Sequence, residues 1–131
     1  MVFKNYSVIS ISIVKSNILL VANAISKIMS NSWEVYVNKQ VPAINDIYID
    51  KPEKGANFPA RILLWEPVNH PGTTIFVSNF SDGWQTLVNG IHNKIECEII
   101  RVIFNLNTSL DEYTCDFEFL SHLSYRRVGL T

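Results

Sequence analysis

The sequence predicts an α+β fold in which two helices pack on a mixed, mainly antiparallel sheet of about six to seven strands. Short runs of alternating or continuous apolar residues, which are typical of strands, recur along the whole chain. Only two segments, residues 16–30 and 79–96, carry apolar residues at helical spacing. The chain has 131 residues, 47% hydrophobic and 18% charged, which suits a single domain with one core. The predicted order is β-α-β-β-β-β-α-β-β, and its two β-α-β halves suggest a ferredoxin-like arrangement.

The N-terminal segment alternates between apolar and small polar residues over positions 8–14. A period of two is typical of a strand, so this segment is predicted to be the first strand. A secretory signal peptide is the alternative, because Lys4 precedes an apolar run and Ala22 to Ala24 has the small-x-small form of a cleavage site. Lys15 and the polar residues after it divide that run, which favours a strand followed by a helix.

The first helix is predicted to begin after a cap at Ser16 and to end near Ser30. Leu19 and Leu20 widen its apolar stripe, so we expect this helix to be well buried. The residues predicted to face the core recur at helical spacing: Ile18, Val21, Ala22, Ile25, Ile28 and Met29.

The middle of the chain reads as four strands. Residues 33–37 alternate between apolar and polar side chains, as in a strand with one solvent-exposed face. Residues 44–50 form a shorter strand candidate. Residues 51–60 contain two prolines, one glycine and three charged side chains, which indicates a loop. Residues 61–66 are apolar on both faces and are therefore predicted to be a central strand. The turn at 67–72 predicts a hairpin with residues 73–78.

The second helix is predicted to start at Asn79 as the cap, with Asp82 near the positive end of the dipole. Residues 97–104 and 113–119 are then predicted strands, and residues 125–130 are a candidate last strand. The chain stops directly after strand-like sequence, so we treat residues 1–131 as one domain that could be truncated at its C-terminus. The apolar stripe of the helix comprises Phe80, Trp84, Leu87, Val88, Ile91 and Ile95.

The charge balance argues against two classes of partner. Net charge is −1 and the pI is near 6.3, which gives no electrostatic footprint for nucleic acid or an anionic membrane.

Cys97 and Cys115 have no CxxC spacing and are interpreted as two thiols in a reducing compartment, with a disulfide between neighbouring strands as the alternative. We predict no cofactor and no metal site, because His70, His92 and His122 show no ligand spacing.

The strand-to-helix turn near residue 80 is the best local candidate for a ligand site. Backbone N–H groups at a helix start can bind an anion, and a glycine permits close approach. However, the turn has neither a GxGxxG motif nor a Walker lysine, and a carboxylate there would repel phosphate. A capped helix is therefore the simpler interpretation. The candidate ligand-binding residues are Ser78, Asn79, Ser81, Asp82 and Gly83.

Two features favour binding to another protein. Four acids cluster within eight residues near a predicted edge strand, where they could attract a basic partner. The outer face of the second helix is rich in amides and poor in Lys and Arg. A structural role for both features is the alternative, since acids also solubilise strand edges. The candidate partner-binding residues are Gln85, Asn89, His92, Asp111, Glu112, Asp116 and Glu118.

The sequence shows no catalytic constellation, so an enzyme is the less favoured function. The leading hypothesis is a small cytoplasmic bacterial protein that binds another protein, for example an immunity or inhibitor protein of a toxin system. The alternative is a small-molecule-binding domain or small enzyme with its site between Ser78 and Gly83. A third hypothesis is a module that forms homo-oligomers through an edge strand.

Overall fold

The structure is a computed structural model that describes residues 8–30, 60–80, 82–105, 114–121 and 125–130. The predicted strands at 33–37 and 44–50 lie outside these residues, as do Ser81, Asp111, Glu112 and His122. The described part is α+β, as predicted. Its elements are β1 (Val8–Val14), α1 (Ile18–Met29), β2 (Ile62–Trp65), β3 (Thr74–Ser78), α2 (Gln85–Ile95), β4 (Ile99–Asn105), β5 (Thr114–Leu120) and β6 (Tyr125–Leu130).

The six described strands form one sheet in the order β2-β3-β1-β4-β5-β6. Every described ladder is antiparallel, so none of them supplies the parallel pairing of a mixed sheet. The predicted hairpin of β2 and β3 is present. Among the described strands β2 lies at the edge and β5 lies inside, whereas the sequence predicted a central β2 and an edge position for β5. Strand order depends on long-range pairing, which a local apolar pattern does not encode.

The two faces of the sheet follow from the register. On one face, Val14 and Ile99 lie opposite each other and join the core with the helices. Side chains alternate along a strand, so Ser10 and Ser12 share this helix-facing side with Val14. Phe76 of β3 and Leu120 of β5 complete the sheet's part of the core. Ile9, Ile11 and Ile13 therefore point to the opposite face.

The cap of helix α1 lies one residue later than predicted, and the helix itself begins at Ile18. The side chain of Asn17, rather than Ser16, accepts a 2.9 Å hydrogen bond from the backbone N–H of Leu20. Val21, Ile25 and Met29 are buried, as the helical spacing predicted, and Ala24 is buried as well. Ile28, which was predicted to face the core, is 36% exposed. Leu19 and Leu20 are 74% and 49% exposed, so the expectation that they widen the buried face is wrong.

Helix α2 begins at Gln85, six residues after the predicted cap. Asn79 is fully buried and its backbone N–H and side-chain oxygen both bind the backbone of Arg61. It therefore extends the pairing of β3 with β2 instead of capping a helix. The residue before α2 is Trp84, which has a left-handed backbone (φ 60°) and no side-chain cap. Leu87, Val88 and Ile91 are buried, as predicted.

The helices pack against each other over the same face of the sheet. Leu87, Val88 and Ile91 of α2 share one buried cluster with Val21 and Ile25 of α1. Gly90 permits this approach, because a Cβ there would lie 3.3 Å from the Ile28 side chain. The helical layer thus closes the helix-facing side of β1, β3, β4 and β5.

Candidate functional sites

An arginine lies in the middle of the helix-facing side. Arg101 of β4 is 2% exposed, and one guanidinium nitrogen lies 3.1 Å from a carboxylate oxygen of Glu118. These residues are opposite each other in the β4–β5 register. The other terminal nitrogen donates to the backbone carbonyl of Asp82. Arg101 therefore ties the sheet to the turn that precedes α2.

The same turn lies directly on β1. A Cβ on Gly83 would overlap the Cβ of Ser10 and would lie 3.0 Å from its Oγ. Gly83 also has φ 70°, in the left-handed region that favours glycine. Backbone placement thus requires glycine here for two separate reasons. The turn is further held by the Trp84 N–H, which donates to Asp82 Oδ1 at 2.9 Å, and by the Trp84 ring lying 4.3 Å from that of Phe80.

The structure separates the residues predicted to bind a ligand at this turn. Ser78 and Asn79 are closed to solvent, and Ser78 Oγ accepts from the Phe80 N–H. Gly83 is buried against Ser10, and only Asp82 is exposed. The polar groups of this segment are thus used mainly within the protein. Ser81 lies outside the described residues.

The residues predicted to bind a partner are also dispersed. Gln85 and Asn89 are exposed on α2, while His92 is half-buried with its Nδ1 2.6 Å from the Cys97 carbonyl oxygen. Asp116 is half-buried, and Glu118 is 4% exposed and paired with Arg101. This placement leaves Glu118 without the exposure that a contact with a partner requires. Asp111 and Glu112 lie outside the described residues.

A second region stands out because its exposed side chains are large and apolar. Leu19 and Leu20 lie in the first turn of α1, just after β1 ends. Val68, which is 95% exposed, lies in the β2–β3 turn, and that turn is fastened to the same end of the sheet by a 2.7 Å hydrogen bond from Thr74 Oγ1 to the Ser16 carbonyl. Trp65 and Phe119 also lie near this end and are more than one-third exposed.

The register places two of these residues, Trp65 and Phe119, in one row on the side of the sheet opposite the helices. Trp65, Ile75, Ile13, Ile100 and Phe119 form one row across five strands, one residue from the end of β1. Of seven exposed large hydrophobic side chains in the described residues, only Ile28 and Phe104 lie elsewhere. We call the other five the apolar end: Leu19, Leu20, Trp65, Val68 and Phe119. Clusters of this kind mark interaction surfaces more often than scattered apolar residues do.

Two further properties of the described residues bear on chemistry at these regions. Both cysteines are free thiols, and burial raises the pKa of Cys97 above its ordinary value. A raised pKa makes a thiol a poorer nucleophile at neutral pH. In the part of the chain that is described, no group of three His, Cys, Asp or Glu side chains could hold a metal ion. Neither described helix is long and apolar enough to cross a membrane.

No family model matches the chain, and no curated protein or solved structure shows significant similarity to it.

Sequence reasoning missed Arg101 and the apolar end. A signal for Arg101 was present, because it is the single charged residue within the apolar run 99–104. A charge in such a strand is buried only when it is paired, so Arg101 predicts a carboxylate in a neighbouring strand. The apolar end has no local signal, since its residues come from four separate segments of the chain.

Proposed function

We propose that this chain is a small protein-binding domain whose contact surface is the apolar end. The observation that carries the proposal is the exposure of Leu19, Leu20 and Val68 at one end of the sheet. Soluble proteins rarely leave several large apolar side chains exposed in one region unless a partner covers them. Transfer of this surface out of water would favour association by roughly 25 cal/mol per Å² before the costs of binding are subtracted.

The surroundings of the apolar end suit a protein partner. The segments that meet at this end also carry exposed polar and charged side chains, which give the apolar surface a rim of mixed charge: Lys15, Glu66, His70, Glu96 and Glu98. An apolar centre within a polar rim is the usual anatomy of a protein interface. Such a rim has no excess of positive charge that would favour nucleic acid or anionic lipid.

The class of protein that fits best is a cytoplasmic immunity or inhibitor protein of a bacterial toxin system. The small size, the mild net charge of −1 and the exposed amides of Gln85 and Asn89 support this proposal. The contact surface differs from the predicted acidic cluster, because Glu118 is used in the buried pair with Arg101. Asp116 is kept as a separate candidate, because the register places it opposite Ile103 and away from the apolar end.

We further propose that β1 to β4 and the two helices form a ferredoxin-like unit. The strand order β2-β3-β1-β4 with antiparallel neighbours supports this, since each helix then connects two strands that run in the same direction with a third strand between them. Strands β5 and β6 would extend this unit beyond β4. An experimental structure in which α1 did not cross from β1 to β2 over the helical face would contradict it.

The small-molecule alternative at the turn between Ser78 and Gly83 has less support. Ser78 and Asn79 are hydrogen-bonded within the protein, and Gly83 is covered by Ser10. Asp82 accepts a hydrogen bond from Trp84, so Asp82→Ala should cost about 1 kcal/mol as a lost turn contact. A ligand whose affinity falls with Asp82→Ala while stability is unchanged would restore this alternative.

The test begins with a partner identified by affinity capture and then measures its affinity by calorimetry for matched variants. Leu19→Asp should weaken binding at least tenfold, because it places a charge within the apolar end. Ser26→Asp is the control: it adds the same charge to an exposed position of the same helix, away from the apolar end. Unfolding of each variant should match the parent within about 0.5 kcal/mol, since both positions are exposed. Unchanged affinity for Leu19→Asp, Val68→Asp and Trp65→Ser would overturn the proposal.

A further inference from the structure

Three polar atoms on the helix-facing side have no hydrogen-bond partner among the residues that the structure describes. They are the hydroxyl oxygens of Ser10 and Ser12 and the Nε of Arg101. All three residues are at most 3% exposed. A buried polar group without a partner destabilises the fold, and native proteins satisfy nearly all such groups. Three in one neighbourhood therefore point to a bound molecule.

The register places the three side chains next to one another on the helix-facing side. Ser12 lies directly opposite Arg101, and Ser10 lies opposite Ile103, two residues further along β4. Side chains two residues apart on one face of a strand are separated by about 6.8 Å along the strand. A molecule at about 2.8 Å from each of two hydroxyl oxygens spans about 5.6 Å, and side-chain rotation supplies the remainder. The Gly83 backbone lies directly against Ser10 on the same side.

The chemistry of the three atoms limits what the molecule can be. Arg101 Nε can only donate, whereas each serine hydroxyl can donate and accept. Water can accept from Nε and donate to both hydroxyl oxygens, and about three hydrogen bonds is the usual number for a buried water. An anion would bring an uncompensated charge into the interior, because Glu118 already balances Arg101. A cation would face the guanidinium.

We propose that Ser10, Ser12 and Arg101 hold one internal water molecule, which completes the hydrogen bonding of the arginine that fixes the turn before α2. This water links β1 to the contact between Arg101 and the Asp82 carbonyl. The site is thus part of the set of hydrogen bonds through Arg101 that holds the turn on the sheet. It is independent of the contact surface proposed above.

The experiment is a crystal structure of the full chain at a resolution that shows ordered water, with a second crystal soaked in bromide. The expected result is one density peak within hydrogen-bond distance of Arg101 Nε and both serine oxygens, without bromide anomalous signal. No peak, a protein oxygen bonded to Nε, or an anomalous peak at the site would each overturn the proposal.

Variants and a solution measurement give an independent check. Ser12→Val removes one partner and fills the space with methyl groups, so the peak should be lost, whereas the exposed control Ser26→Ala should retain it. In solution, the parent should show a magnetisation transfer from a long-lived water to the Arg101 Nε–H, and Ser12→Val should not. If Ser12→Val does not fold, the crystal and the solution spectrum of the parent still decide.

Discussion

On its helix-facing side β1 presents Ser10, Ser12 and Val14, whereas on the opposite side it presents Ile9, Ile11 and Ile13. The same contrast continues across the sheet. Ser12, Arg101 and Glu118 are register neighbours on the helix-facing side and are almost closed to solvent. The opposite side carries a row that is apolar across the five strands from β2 to β5, yet its Trp65 and Phe119 are more than one-third exposed.

The difference shows that burial does not follow polarity in this sheet: polar side chains are buried on one side, and apolar side chains are exposed on the other. The helices and the turn before α2 close the helix-facing side, so its polar groups must be satisfied by partners placed there. Arg101 meets this requirement by binding Glu118 and the Asp82 carbonyl, and in doing so it positions the turn. The apolar side has no such requirement, and its exposed aromatics remain available for contact at the apolar end.

The largest expected effect comes from Arg101. Arg101→Met should lower the free energy of unfolding by about 3 to 5 kcal/mol, because it removes the guanidinium that pairs with the buried Glu118 carboxylate. Urea denaturation followed by circular dichroism measures this. The double variant Arg101→Met with Glu118→Leu should recover much of the loss, since two apolar side chains can replace a buried pair. A single variant as stable as the parent would show that the pair is not closed to solvent.

Gly83 tests how tightly the turn lies on the helix-facing side. Gly83→Ala should destabilise by about 1 to 3 kcal/mol more than Gly72→Ala, because a methyl group overlaps Ser10 only at residue 83. Both glycines have positive φ, so the Gly72 variant measures the backbone strain alone, about 1 to 2 kcal/mol. Combining Gly83→Ala with Ser10→Gly should restore part of the difference. Equal losses for the two glycines would mean that the turn does not touch β1.

Val77 tests the closure of the apolar side near β1 and β3. It is fully buried on that side, so Val77→Ala should cost about 2 kcal/mol from lost transfer energy and a cavity. Phe104→Leu is the comparison on the same side, where the parent residue is one-third exposed, and should cost less than about 1 kcal/mol. Thermal unfolding of both variants gives the two values. A similar small loss for both would show that the apolar side is open throughout.

The smallest expected effect is a pH dependence from Cys97, a core residue under the helices. Burial raises the pKa of this thiol above its ordinary value of 9.0, so the folded chain holds the proton in a range where the unfolded chain releases it. The free energy of unfolding should therefore fall as pH rises above about 9. Cys97→Ala should reduce this fall relative to the parent in matched urea titrations at pH 8 to 10. An identical slope in both proteins would contradict the assigned burial.

Much of the secondary structure could be predicted because its signals are local. The alternation over residues 8–14 and the helical spacing of Val21, Ile25 and Met29 correspond to β1 and α1. The start of α2 could not be predicted in this way. Asn79 is a good cap by residue type, but its side chain is already bonded to Arg61, eighteen residues earlier in the chain. Because Asn79 pairs with Arg61 in the tertiary structure, it does not cap α2, although its local preference favours that role.

The candidate sites were less predictable for a related reason. The prediction of an acidic surface counted Glu118 by its charge, and only the β4–β5 register shows that Arg101 neutralises it. Leu19 and Leu20 fit a wide buried stripe by composition, yet α2 packs on the other side of α1 and leaves both exposed. Exposure depends on which elements become neighbours, and no single segment carries that information.

The sequence by itself determined the α+β class, the two amphipathic helices and the hairpin of β2 and β3, because periodicity and turn residues act over a few neighbouring positions. Only the tertiary structure decided the strand order, the burial of Arg101 with Glu118 and the gathering of the apolar end. These depend on contacts between residues far apart in the chain, whose free energy exists only once the register of the whole sheet is set.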